Sequence, residues 1–257
     1  MRTLSVLAAL LLTVPLRLLA QGSGTAALAD SARVTIEAAV DRGDLPALEA
    51  SIALLDRGLA LRANDPLLRH YRGYALYRAG TMILGQLGAA RARPYFDRAA
   101  DALEPLARGA TIPETYAVLS SVYGMQIATS RVSMLAGIRL GPKATEQMTR
   151  AIETGARNPR VWVLRGIGAF NTPSSFGGGI GKAEAYLKKG VELFATDNAA
   201  GPLPSWGRAD AHVWLGQIYA KQGKREAARA EYQAALALQP RHPWITGTLL
   251  PQLDRSH

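Results

Sequence analysis

The chain has 257 residues, 30 basic and 20 acidic side chains, a formal charge of +10 and no cysteine. An apolar share of 48% is enough to build a buried core and excludes global disorder. The lack of cysteine excludes disulfides, thiolate metal sites and cysteine nucleophiles, and frequent Gly and Ala beside only 7% aromatics suit closely packed helices better than a β-sandwich.

Residues 1–20 read as a secretory signal segment. Arg2 supplies the positive start, Leu4 to Val14 an apolar run, Pro15 a break, and Leu18-Leu19-Ala20 the approach to a cleavage point. Cleavage after Ala20 leaves Gln21 first and removes Arg2 and Arg17, for a charge of about +8. The run is short for a membrane span of about 20 apolar residues, and no later segment is long and apolar enough to span a bilayer. With no cysteine to carry a lipid, a periplasmic or secreted protein is expected. The remaining positive charge has two readings. One is an acidic partner or an anionic membrane surface; the other is a generically basic exterior. An exported chain without a basic–aromatic cluster is not expected to bind nucleic acid.

Helix punctuation then recurs along residues 21–257. A first hairpin over about 28–63 has Gly43 at its turn and Gly58 at a late small site. Asp65-Pro66 pairs a capping side chain with proline at the first helical position. It opens a second hairpin, 66–108, with Gly73, Gly80, Ala92, Phe96 and Ala99. Thr111 and Pro113-Glu114 open a third, 113–156, with Leu119, Tyr123, Ala144, Met148 and Ala151; Gly141-Pro142 marks the start of its second helix. Asn158-Pro159 opens a fourth, 159–194, with Gly166, Ala183, Leu187 and Gly190. In the fifth, 208–242, His212, Leu215, Gly216 and Tyr219 precede Ala228, Tyr232, Ala235 and Pro240. Gly216 and Ala228 lack bulk, so two helices can approach closely there, and Pro240 ends the second helix for want of an amide proton. A capping segment follows at 243–257, with a short helix near Ile245–Leu253 and with Trp244 and Leu249 covering the end of the last hairpin.

The offsets of the fifth hairpin resemble the tetratricopeptide repeat, with His212 at the usual Trp site. The resemblance extends, more weakly, over the other hairpins. It implies an all-α, right-handed superhelical solenoid of about five helix hairpins, one domain over 21–257, whose first helices line a concave groove. Such proteins are typically scaffolds for peptides or other proteins, without catalysis or cofactor. Mapped onto this chain, the groove positions are His70, Tyr74, Tyr77 and Arg78, then Phe170 and Asn171, then Gln217 and Lys221. Aromatic, amide and cationic groups together suit an extended peptide or a carboxylate-bearing ligand. The family's two-carboxylate clamp needs Lys and Asn where this chain has His70 and Tyr74, so that ligand is not expected. The stretch Asn171-Thr172-Pro173 to Phe176-Gly177-Gly178-Gly179 is similar to a loop of exported bacterial repeat proteins.

Three copies depart from the unit. Gly216 and Ala228 are twelve positions apart, whereas Gly73 and Ala92, Ser120 and Ala144, and Gly166 and Ala183 are nineteen, twenty-four and seventeen apart. Each excess reads as an insertion between paired helices, and the insertions are expected on one edge of the superhelix. Met82, Leu84, Leu87, Met134, Leu135, Ile138 and Phe176 stand there. They either pack on one another or form an apolar pocket or docking edge.

No other chemistry emerges. Gly177 to Lys182 lacks the spacing and the Ser or Thr of a phosphate loop. His70, His212, His242 and His257 show no metal-ligand spacing, with His212 read as a packing substitute for an aromatic ring. No catalytic set is present. The expected function is a non-enzymatic interaction scaffold, with or without an acidic partner. The alternative is a small-molecule-binding component resembling the repeat subunits of periplasmic solute transporters, for an apolar or carboxylate ligand.

Overall fold

Side-chain caps and glycine turns divide the chain into antiparallel helix pairs. The computed structural model describes residues 13–255; residues 1–12 of the expected signal segment lie outside them. The first pair is α1 (Thr13–Arg42) with α2 (Leu45–Leu61), then α3 (Pro66–Leu87) with α4 (Ala89–Leu103), and α5 (Pro113–Ala128) with α6 (Ser133–Gly155). The last are α7 (Pro159–Asn171) with α8 (Ile180–Phe194), and α9 (Arg208–Lys221) with α10 (Arg225–Leu238). A π-helical turn, Ile245–Leu249, leads into α11 (Leu250–Arg255). No strand occurs among the described residues.

The starts follow the sequence signals. Asp65 accepts from the amides of Leu67 and Leu68 at 3.0 and 3.1 Å, and Asn158 accepts from Arg160 at 3.0 Å, each ahead of a proline at the first helical position. These contacts satisfy amides that a helix start leaves without partners. Gly43, Gly88 and Gly223 turn the chain with positive φ of 64°, 84° and 73°.

The first helices of the pairs, α3, α5, α7 and α9, pack side by side, and each second helix packs on its own first helix. The two helices of a pair meet where bulk is missing. A Cβ on Gly216 would lie 2.3 Å from Tyr232, on Gly166 2.6 Å from Leu187, and on Gly80 2.7 Å from Phe96. The core is continuous from Ala29 to Ile218, and a second cluster of Val213, Tyr232, Ile245, Leu249 and Leu253 closes the C-terminal end.

Three expectations change. Gly80 faces Phe96 as Gly216 faces Tyr232, sixteen residues apart in both. The second pair therefore has no insertion at its turn. The apparent excess is two extra turns at the start of α3, where Gly73 packs on Leu103. Next, α6 begins at Ser133 and Pro142 lies inside it, not at its start. A proline there removes one hydrogen bond, to the Ile138 carbonyl; both residues are exposed, so water can reach that group. Finally, Leu249 joins the cluster that closes the last hairpin, whereas Trp244 lies outside that cluster and meets Trp214 of α9 edge-on, with ring centroids 5.8 Å apart.

Candidate binding groove

Placing the groove positions on α3, α7 and α9 puts them on the inner face, but the linker between α8 and α9 crosses that face first. The Tyr71 hydroxyl donates to the Pro202 carbonyl at 2.5 Å. Trp206 stacks on Tyr74 with centroids 4.7 Å apart and planes 13° off parallel. The Ser205 hydroxyl accepts from Arg33 at 2.6 Å and donates to Glu37 at 2.8 Å. At Gly201 a Cβ would sit 2.0 Å from Asp30 Oδ1, so the backbone reaches α1 only because there is no side chain. The linker's start is tied to α7: buried Arg160 donates to both oxygens of Asp197 at 3.1 and 2.5 Å, and its guanidinium lies over the Phe194 ring at 5.6 Å. Glu114 stands 3.9 Å from Arg160. Burial raises the Glu114 carboxyl above its ordinary range, against opposing hydrogen bonds and Arg160.

The α3 positions are not open. His70, Tyr74 and Tyr77 are buried. His70 Nδ1 lies 2.9 Å from Thr115 Oγ1 while Nε2 has no partner, and burial pushes the imidazole down to about 3. It is neutral across the physiological range. Arg78 crosses the face and donates to Asp210 at 2.9 and 3.3 Å. Burial would lower its pKa, but Asp210 outweighs that and holds it above the ordinary value. Around the pair lies a cavity of about 130 Å³, lined by Glu37, Val40, Tyr74, Arg78, Trp206 and Leu238 among others. Here the two ends of the solenoid meet: Pro243 lies against Gly43 of the α1–α2 turn, where a Cβ would come 2.7 Å from its ring.

The α7 and α9 positions stay accessible. Phe170 meets Trp214 edge-on at 5.2 Å, and the Lys221 ammonium lies 4.3 Å from the Phe170 ring. Gln217 is half-buried and Asn171 exposed, the Asn171 amide nitrogen donating to the Ile167 carbonyl at 2.9 Å. With Trp244 these residues form an aromatic strip edged by one ammonium and two amides. Trp214 was not among the sequence candidates, although Asp210, Trp214, Gln217 and Lys221 share one helical stripe. Trp206 was missed too, because it stands in a linker without period. His212, at the usual Trp site, is half-buried, with its Nδ1 2.7 Å from Glu231 Oε2.

Of the inserted-edge residues, Met82 and Leu84 are half-buried and pack on the core, while Leu87, Met134, Leu135, Ile138 and Phe176 are exposed.

Among known proteins, the tetratricopeptide-repeat profile matches residues 209–242. No curated protein matches the chain in sequence. A thermophilic tetratricopeptide-repeat protein of Thermus thermophilus is similar in structure, with 21% identity, 84% of this chain and 95% of the other covered, and a TM-score of 0.56. The HusA haemophore of Porphyromonas gingivalis is similar at 21% identity, with 75% and 93% covered and a TM-score of 0.55. The chain thus carries one tetratricopeptide repeat, over residues 209–242, and shares the paired-helix fold of tetratricopeptide-repeat proteins through the rest of its length.

Proposed function

We propose that the chain is a non-enzymatic scaffold that holds an extended segment of a partner protein on the C-terminal part of its inner face, and that it works after export. Tetratricopeptide-repeat proteins in general bind protein or peptide partners. The observation that carries the finer reading is the accessible strip of Phe170, Trp214 and Trp244 with Lys221 at its margin. Its rings offer flat apolar area, and the ammonium favours a segment carrying a carboxylate. The chain's own linker shows how an extended segment lies on such a surface, through ring stacking at Trp206 and hydroxyl contacts at Ser205. Peptides selected from a random display library on the folded protein are expected to be apolar with an acidic residue. They should quench tryptophan fluorescence and bind about tenfold more weakly to Trp214→Ala. Selected peptides that bind Trp214→Ala and Trp244→Ala as well as they bind the parent protein would sink the proposal.

The small-ligand alternative gains less support. The cavity under the linker, about 130 Å³, is well below the roughly 300 Å³ at which ligand pockets begin. Likeness to a haemophore at 21% identity extends to fold alone.

Export rests on residues 1–20. Mass spectrometry of the protein from its native cell should find a chain starting near Gln21; a chain retaining Met1 would refute export by cleavage.

A further inference from the structure

The extra residues of the third pair build helix rather than loop. α6 begins eleven residues before Ala144, whereas α10 begins three before the corresponding Ala228. The register is fixed by the Ser120 hydroxyl, which donates to the Ala144 carbonyl at 2.8 Å. The first two turns of α6 are therefore an addition to the unit, set at the tip of the α5–α6 hairpin. They carry large apolar side chains that nothing covers: Met134 is 79% exposed, Leu135 65% and Ile138 71%. Burying such side chains is favourable, so leaving three side by side in water calls for an occupant.

Charge says which. Around this tip and the neighbouring tips of α3–α4 and α7–α8, residues 81–96, 127–145 and 168–183 contain six basic side chains and no acidic one; the acids that follow next, Asp97, Glu146 and Glu184, pair with Arg93, Arg150 and Lys188. Arg131 and Arg139 flank the apolar trio, are exposed, and pair with no carboxylate among the described residues. Lys143, one turn on, is also exposed and leans toward the Tyr123 ring at 5.7 Å. A second copy of the same edge would set like charges against each other. A protein partner of ordinary size needs about 800 Å² of matched surface, and a projecting helix tip offers little of that. A lipid surface needs only a few apolar side chains at headgroup depth and basic groups at the phosphates.

We propose that the tip of the α5–α6 hairpin docks on anionic lipid bilayers, with Met134, Leu135 and Ile138 entering between headgroups and Arg131, Arg139 and Lys143 on the lipid phosphates. This does not depend on the peptide strip, which lies on the inner face.

The absence of cysteine allows a direct test. An environment-sensitive dye is placed on the full chain through Met134→Cys, with Ala237→Cys on exposed α10 as control. Residues 1–20 can enter lipid themselves, so the readout is the dye's emission at each position, not vesicle binding. With vesicles of equal parts phosphatidylglycerol and phosphatidylcholine, the dye at 134 should shift to the blue and the control should not. Phosphatidylcholine alone should give no shift, and about 0.5 M salt should weaken the response by screening. Adding R131E and R139E should raise the lipid needed for half the shift about tenfold or more. No shift at 134, equal shifts at both positions, or indifference to R131E and R139E overturns the proposal. So does self-association in the ultracentrifuge that L135D and I138D abolish, since a second copy would then be the occupant. Far-UV circular dichroism is the check that each variant keeps its helices.

Discussion

At Gly216 and Gly80 the missing side chain is the contact. An added Cβ would meet Tyr232 at 2.3 Å and Phe96 at 2.7 Å, and neither ring can retreat from a filled core. Gly216→Leu should cost roughly 1–3 kcal/mol or more, read as a lower denaturant midpoint. Gly124→Ala is the matched control. Gly124 lies in α5 with nothing within 4 Å of its Cβ position, so the change should stabilise by about 0.5–1 kcal/mol. His70 gives a pH signature. Its imidazole is held down to about 3 by burial, against about 6.5 in the unfolded chain. The unfolded state then binds the extra proton first as pH falls. The stability tied to neutral His70 is complete above about 6.5 and is lost progressively down to about 3, with roughly 2 kcal/mol gone by about pH 5. Denaturation of the parent and of His70→Gln between those pH values should show the steeper loss in the parent. Parallel slopes would contradict a buried neutral ring.

At the scale of elements, the linker at 195–207 matters most for what the inner face can do. Trp206 is buried against Tyr74, and truncating it should cost about 3–5 kcal/mol. Trp206→Ala should also make this linker the first site of proteolysis under native conditions; cleavage confined elsewhere would show that the linker is held by its other contacts. Hairpin positions were legible because capping residues, prolines and small–large–small spacing all mark the same boundaries. The register of the second pair was not. Gly73 and Gly80 are two helical turns apart, so both lie on one face of α3 and each admits a large side chain, Leu103 or Phe96; spacing alone favours neither. The linker was illegible for a different reason. Its hold on the inner face comes from partners 131 to 172 residues away in sequence, such as Tyr71 and Arg33, and no local pattern records such a contact. Half of the candidate groove is thus closed, Tyr74 by Trp206 and His70 against Thr115, while the accessible half gained Trp214, which sits between consensus positions.

For the molecule as a whole, the joined ends change how stability is distributed. An open repeat array is a chain of nearest-neighbour terms and can fray from either end. Here Arg78 of α3 grips Asp210 of α9, and Pro243 lies on Gly43. Arg78→Met should leave the Asp210 carboxylate unpaired in a largely buried setting and destabilise by about 3–5 kcal/mol. In the parent protein, helicity and tryptophan fluorescence should be lost in one coincident transition. Two separated transitions would mean that the ends are independent.

The meeting of Gly43 with Pro243 also bears on speed. Contacts within a helix pair form between residues a few tens apart, whereas this one closes almost the whole chain. Its entropy grows only slowly with length, but it can be made only after every intervening pair has docked. Refolding from denaturant should therefore show helix recovery well ahead of tryptophan burial at Trp206, and Pro243→Ala, which removes the ring that meets Gly43 and leaves the α1–α2 turn intact, should slow the late phase while leaving the early one unchanged.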